Sequence, residues 1–255
     1  MFGAIDARAA KRALIILLAV FCALWVGISY GGNSNQATYV PPGLKLLDPD
    51  YLKDDWWLEQ TAHYHWVFFG LVAFLASLGV LEWGLAVINA LTVFISVAAI
   101  YALAKDIEPK FALPIYVASL VFFVADDGVK SVAKTFLFTH YLQASSLATC
   151  ATLWAIVYFV RGRWVAVGLL TGFSGAFHAN FVVVNLAAFG LAWAALNVPS
   201  LKQFSQSWKR LLSEGLRLAA PGMIVLAFTL PIVAAVYGGN PTPEERALSD
   251  TIFIE

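Results

Sequence analysis

Charge is scarce in this 255-residue chain: thirteen per cent of the residues are Asp, Glu, Lys or Arg, against sixty per cent hydrophobic. Soluble domains carry about a quarter charged residues, so a soluble globule of this composition would lack the groups to solvate its surface. A bilayer removes the conflict, because lipid-facing positions need no charge. Sixteen basic and sixteen acidic residues cancel to zero net charge, which argues against nucleic acid as a partner. The only two cysteines, Cys22 and Cys150, lie in or beside apolar runs without CxxC spacing, and read as packing residues. The chain has no P-loop, GxSxG, HExxH or dinucleotide fingerprint. It also shows no internal repeat, low-complexity tract or soluble domain.

Long apolar runs are what the chain does have. They fall at about 13–31, 64–82, 84–104, 110–125, 146–160, 164–176, 180–197 and 218–238. The runs are continuous rather than alternating, which excludes barrel strands and predicts an all-α, polytopic bundle in a single domain, 1–255. Arg8, Lys11 and Arg12 precede the first run, which ends in bulky Trp25 and Tyr30 rather than a small-x-small cleavage site. It therefore reads as an uncleaved first helix rather than a removed signal.

Orientation follows from the basic residues. If all eight runs cross, six basic residues face the cytoplasm and ten face out. If 64–82 does not cross, eleven face in and five face out, the asymmetry expected of the positive-inside rule. Seven spans result, with a cytoplasmic N-terminus, an outer C-terminus and 64–82 as an interfacial element in a first outer loop, about 32–83. A second outer loop covers about 126–145. Leu201, Phe204, Trp208, Leu211, Leu212 and Leu216 recur at helical spacing among four basic residues, predicting an inner-surface amphipathic helix over 201–217. Pro231 is expected to kink the last span. A bacterial inner membrane is the default location.

The densest polar cluster is Asp48-Pro49-Asp50-Tyr51-Leu52-Lys53-Asp54-Asp55-Trp56-Trp57, with four carboxylates in eight residues beside two tryptophans. Carboxylates can act as a general base or ligate a hard cation, and tryptophan faces stack on sugar rings. The bland alternative is an acidic connector skimming the membrane. A second acidic pair, Asp126-Asp127, follows the 110–125 run; Asp-Asp-Gly is also an ordinary helix stop. His178 and Asn180 end the glycine-bearing 164–176 span, and His140 lies in the second outer loop. His63 and His65 are two apart and diverge on a helix, a weak metal pair.

This ordering resembles the GT-C superfamily of polytopic glycosyltransferases, which use polyprenyl-phosphate-linked sugars. The resemblance is one of layout: a basic N-terminal flank, a long acidic outer loop with juxtamembrane helices, and a second acidic outer loop. A span then ends in Arg161-Gly162-Arg163-Trp164, and a glycine-bearing span runs from Val165 to Phe177 before His178. It implies a seven-span N-terminal module covering essentially the whole chain, with transfer at the non-cytoplasmic face. Asp54, with Asp55 as its rival, then serves as catalytic base, and Asp126 or Asp127 is its acidic partner. His178, Asn180, His140, Trp56 and Trp57 bind the donor. Asp54 and Asp126 are the ligands of any divalent cation, magnesium or manganese, that takes part. Members usually continue with further spans, so the chain reads as a fragment or a reduced member. The alternatives are a non-catalytic subunit of a membrane complex and, last, a transporter, which would place charges near the midplane and show repeated halves.

Overall fold

The structure, a computed structural model, describes residues 7–27, 34–55, 58, 65–125, 141–197 and 204–237. Among them are nine α-helices and no strand: α1 (Ala7–Gly27), α2 (Ser34–Lys45), α3 (Trp66–Ser77), α4 (Leu81–Ile107), α5 (Ala112–Ala125), α6 (Ala144–Val160), α7 (Trp164–Phe177), α8 (Ala179–Leu196) and α9 (Phe204–Tyr237). Among the described residues, four helices are long and apolar enough to cross a membrane, through Ala9–Val26, Leu81–Ile107, Ala179–Leu196 and Trp208–Leu230. The all-helical, membrane-type architecture expected from composition is therefore present. The outward faces match it: Leu17, Leu191 and Phe228 are 65%, 73% and 73% exposed, an apolar surface suited to lipid rather than water.

Two helix bundles make the body. In the first, Ala19, Cys22 and Val26 of α1 pack on Val93 and Val97 of α4 and on Tyr116 and Leu120 of α5. The Tyr116 hydroxyl donates to the Ile15 carbonyl at 3.2 Å, satisfying its one polar group. In the second, Ala155 of α6, Val167 of α7, Phe189 of α8 and Leu218 of α9 form the core. Trp154 joins the two by donating its indole N–H to the Ile95 carbonyl at 3.1 Å. Thr92, Ser96, Thr149 and Thr152 donate to carbonyls four residues back, so their hydroxyls can sit among apolar neighbours.

The ends of the bundle can be told apart. Arg161, just after α6, pairs with Asp106 in the last turn of α4 at 2.6 Å. Gly162 follows at φ +67, and the N–H of Arg163 reaches back to the Tyr158 carbonyl at 2.8 Å. This is the left-handed glycine stop that caps orphan carbonyls. The opposite end carries His178, between α7 and α8. There Phe68, Phe69, Val72 and Leu75 of α3 pack on Leu85 of α4, on Leu142 and Ala144 at the start of α6, and on Phe177. Both ends of α3 thus meet the same end of the bundle, and α2 lies on α3 through Tyr39, whose ring stands 5.6 Å from that of Phe68.

Two boundaries differ from the sequence expectation. The 64–82 run contains a short helix, α3, and a turn at Leu78–Val80 that stops it before α4 begins at Leu81. Where a surface stripe over 201–217 and a separate span over 218–238 were expected, the described residues Phe204–Tyr237 form one helix of 34 residues, α9, unbroken through Pro221 and Pro231. Proline lacks the N–H that would bond the carbonyl four residues back. At Pro221 that carbonyl belongs to Arg217, and α7 packs directly onto it. A Cβ on Gly168 would stand 2.3 Å from the Arg217 oxygen, and one on Gly172 would stand 3.1 Å from the Pro221 oxygen. Two glycines four apart let the helix backbones meet, the close approach on which membrane helix pairs rely.

Candidate functional site

Polar side chains converge at the His178 end. His178 is the single residue between α7 and α8, in extended conformation at φ −148, ψ 104. The two helices fold back on each other around it. A Cβ on Gly175 would meet the Val182 Cβ at 2.4 Å, and the Asn185 amide donates to the Ser174 hydroxyl at 2.9 Å and to the Thr152 hydroxyl of α6 at 2.8 Å. Glycine and a short hydroxyl are needed here because α8 returns so close to α7.

His65, immediately before α3, is 3% exposed. Its Nδ1 lies 2.9 Å from the Phe177 carbonyl, which can only accept. Nδ1 therefore carries the proton, and Nε2 is the lone-pair nitrogen of the neutral ring. The His65 and His178 rings stand 4.7 Å apart at 68°. Tyr39 of α2 closes on His65 at 5.0 Å, and Phe181 on His178 at 5.2 Å. Burial pushes the His65 imidazole down to about 4; the Phe177 carbonyl pulls the other way and a charged His178 adds to the depression. Burial also lowers His178. Both rings are neutral at pH 7, so they serve as hydrogen-bonding groups rather than fixed cations.

Beside them lies the start of α6. Ala144 packs in the same cluster as Phe177, and Ser145 and Ser146 in the first turn are 1% and 0% exposed. Their hydroxyl oxygens have no hydrogen-bond partner among the described residues, and the same holds for Thr171 of α7. The Ser146 N–H already donates to the Gln143 carbonyl at 3.0 Å, so what this terminus offers an anion is the rest of its first turn and the positive end of the helix dipole. Buried hydroxyls without partners are uncommon enough to point the same way.

The acidic stretch forms a compact run of turns after α2. Tyr51, Lys53 and Asp55 donate their N–H groups to Asp48, Asp50 and Leu52 at 2.9, 3.3 and 3.0 Å, and Leu52 takes the left-handed φ of 48. Asp48 accepts from the Asp50 N–H at 3.0 Å, and Asp55 accepts from the Leu58 N–H at 3.1 Å. Asp54 and Asp55 are both exposed. Asn180 is exposed on the first turn of α8. Of the residues expected to form a site, Trp56, Trp57, Asp126, Asp127 and His140 lie outside the described residues. Among the described residues no group of three or more His, Cys, Asp or Glu could hold a metal ion.

Sequence reasoning placed His178 at a helix end but missed its partner. His65 was weighed only with His63, two residues away, whereas its contact comes from a residue more than a hundred positions along. Ser145 and Ser146 were also missed. The available signal was a pair of hydroxyls opening an apolar helix behind Gln143.

A pH experiment follows from the histidine pair. The native state favours neutral His65, so stability is complete above the ordinary histidine value of 6.5 and falls as pH drops from 6.5 towards about 4. Below that it levels off. The loss is at most about 3 kcal/mol for such a shift. Thermal unfolding between pH 8 and pH 4 should show this decline in wild type, and a shallower one in His65→Gln. Equal slopes would remove His65 as its source.

No protein-family model, curated protein or solved structure matches the chain.

Proposed function

We propose that this chain is a GT-C-like glycosyltransferase module that binds a polyprenyl-phosphate-linked sugar at the His178 end, on the non-cytoplasmic side of a membrane. The observation that carries the reading is the convergence at one end of the bundle. The start of α6 with its buried Ser145 and Ser146 hydroxyls and the His65–His178 pair meet there, beneath α2 and α3. A lipid-linked donor presents a phosphate at the membrane boundary, and a helix N-terminus with the Ser145 and Ser146 hydroxyls and the neutral His178 ring offers donors to it, while His65, its one N–H held by the Phe177 carbonyl, packs against that ring. Asp54, on the acidic turn that follows α2, is the base that takes the acceptor proton, and Asp126 or Asp127 is its acidic partner.

Seven crossings, by α1 and α4 to α9, give this geometry its orientation, with α3 lying along the outer face. Lys105, Lys110, Arg161, Arg163, Lys209, Arg210 and Arg217 then sit at or near the cytoplasmic end, as the positive-inside rule requires. The membrane is a bacterial inner membrane in this reading. Single cysteines at position 55 should react with an impermeant thiol reagent added outside intact cells, and cysteines at position 108 should react only after permeabilisation. The reverse pattern would reject the orientation.

Binding tests the site itself. Detergent-purified protein should bind a polyprenyl-phosphate hexose, and Ser145→Ala with Ser146→Ala should weaken that binding by roughly tenfold, about the loss of one hydrogen bond to a charged group. Unchanged binding would remove the α6 terminus from the site. The exposure of Asp54 and Asp55 favours a second reading, a non-catalytic subunit of a membrane complex, for which no donor should bind.

A further inference from the structure

We infer that the cleft between α8 and the first half of α9 holds one acyl chain of an anionic phospholipid, with the headgroup at Lys209 and Arg210. The cleft has a volume of about 500 Å³ and is lined by Trp193 of α8 and by Trp208, Leu211, Gly215 and Ala219 of α9. The α9 residues recur at helical spacing, so they form one stripe. The stripe rises about 16 Å at 1.5 Å per residue, from Trp208 to just past the level at which α9 meets Gly168 of α7. The lining carries almost no polar surface, which makes water a poor occupant and a hydrocarbon chain a good one.

The hollow exists because of Gly215. A Cβ there would touch only the Trp193 ring, at 3.9 Å, so any larger residue would project into open space. The mouth is where α9 enters its apolar stretch, at Trp208. Lys209 Nζ stands 5.8 Å from the centre of the Trp208 ring, and Arg210 is exposed beside it. The one carboxylate on this part of α9, Glu214, accepts the Trp193 indole N–H at 3.4 Å and faces the cleft wall. The mouth is therefore positive, and paired tryptophans suit headgroup depth. An anionic headgroup gives Lys209 a counter-charge there and a zwitterionic one does not.

The full chain in dodecyl maltoside, titrated with phosphatidylglycerol or phosphatidylcholine of identical chains, tests this by native mass spectrometry. Wild type should prefer phosphatidylglycerol by about thirtyfold, the size that two surface cations supply. Gly215→Leu should reduce binding of both lipids while the unfolding temperature holds or rises, and Gly215→Ala should fall between. Lys209→Gln with Arg210→Gln should bring phosphatidylglycerol down to the phosphatidylcholine level and leave the latter unchanged. Wild-type binding by Gly215→Leu or, should that variant fail to fold, by Gly215→Ala would overturn the cleft as the site. Equal binding of the two lipids by wild type would overturn the anionic preference. A wild-type dimer that Gly215→Leu dissociates would place a second copy of the chain in the cleft and overturn the lipid.

Discussion

Gly168→Leu should leave no folded protein in detergent, and Gly168→Ala should already cost more than about 4 kcal/mol, the range of exceptional single substitutions. Ordinary overpacking costs roughly 1–3 kcal/mol because side chains can shift. Here the obstacle is backbone. The new Cβ would meet the Arg217 oxygen at 2.3 Å and the Leu218 oxygen at 2.9 Å, and neither can move unless α9 moves. Relief by separating α7 and α9 would open the cluster of Val167, Phe189 and Leu218 and expose the Arg217 carbonyl that Pro221 leaves without its helical donor. Gly190→Ala is the control, since a Cβ there meets nothing within 4 Å and alanine favours helix. Unfolding followed by tryptophan fluorescence, with size-exclusion profiles of both variants, measures the contrast. Similar profiles for the two would mean that α7 and α9 do not pack through Gly168.

The second large effect concerns chemistry. Asp54→Asn should lower sugar transfer from a polyprenyl-phosphate donor by about 10²–10⁴-fold, the usual cost of losing a general base, with insertion and donor binding intact. An acceptor hydroxyl must lose a proton as it attacks the anomeric carbon, and asparagine cannot take it. Asp55→Asn should act differently. Asp55 accepts the Leu58 N–H at 3.1 Å, so its amide variant disturbs the turn and is expected to lower stability and rate together by a smaller factor. Asp48 likewise accepts from Asp50. The two neighbours thus differ in their contacts, and the pair of variants tests which of them acts as base. Full activity of Asp54→Asn would remove it as the base. Wild type that binds donor but transfers nothing would favour the non-catalytic subunit.

Composition and run length carried the fold class. Sixty per cent hydrophobic residues with continuous apolar runs allow little besides helices in lipid, because only helices satisfy their backbone within one segment. Helix ends were legible where a strong local signal stands, as at Gly162, and poorly legible where none does. Nothing in Leu201 to Leu218 announces whether an amphipathic stripe and an apolar run share one helix, because both obey the same 3.6-residue period. The site was legible in part. His178 followed from its place at the end of a glycine-bearing run. His65 did not, because its partner is fixed by the packing of α3 on Phe177, and pairings of that separation leave no trace in local spacing. The acidic turn was visible as a cluster of charge, but the internal hydrogen bonds that distinguish Asp54 from Asp55 depend on turn geometry.

The single-residue link at His178 also bears on how the protein is made. Gly175 meets Val182, and Ser174 bonds Asn185, across 11 residues or fewer. Closing so short a loop costs little chain entropy, and contacts this local form early. The α7–α8 pair can therefore enter the bilayer as a closed helical hairpin while later residues are still on the ribosome, its Ser174 hydroxyl and Asn185 amide already bonded to each other. The Gly168 and Gly172 groove is then exposed to lipid until α9 is synthesised and docks onto it. Between those two moments the nascent chain presents an unfilled backbone surface, and that interval is when a membrane chaperone or a quality-control protease would find it.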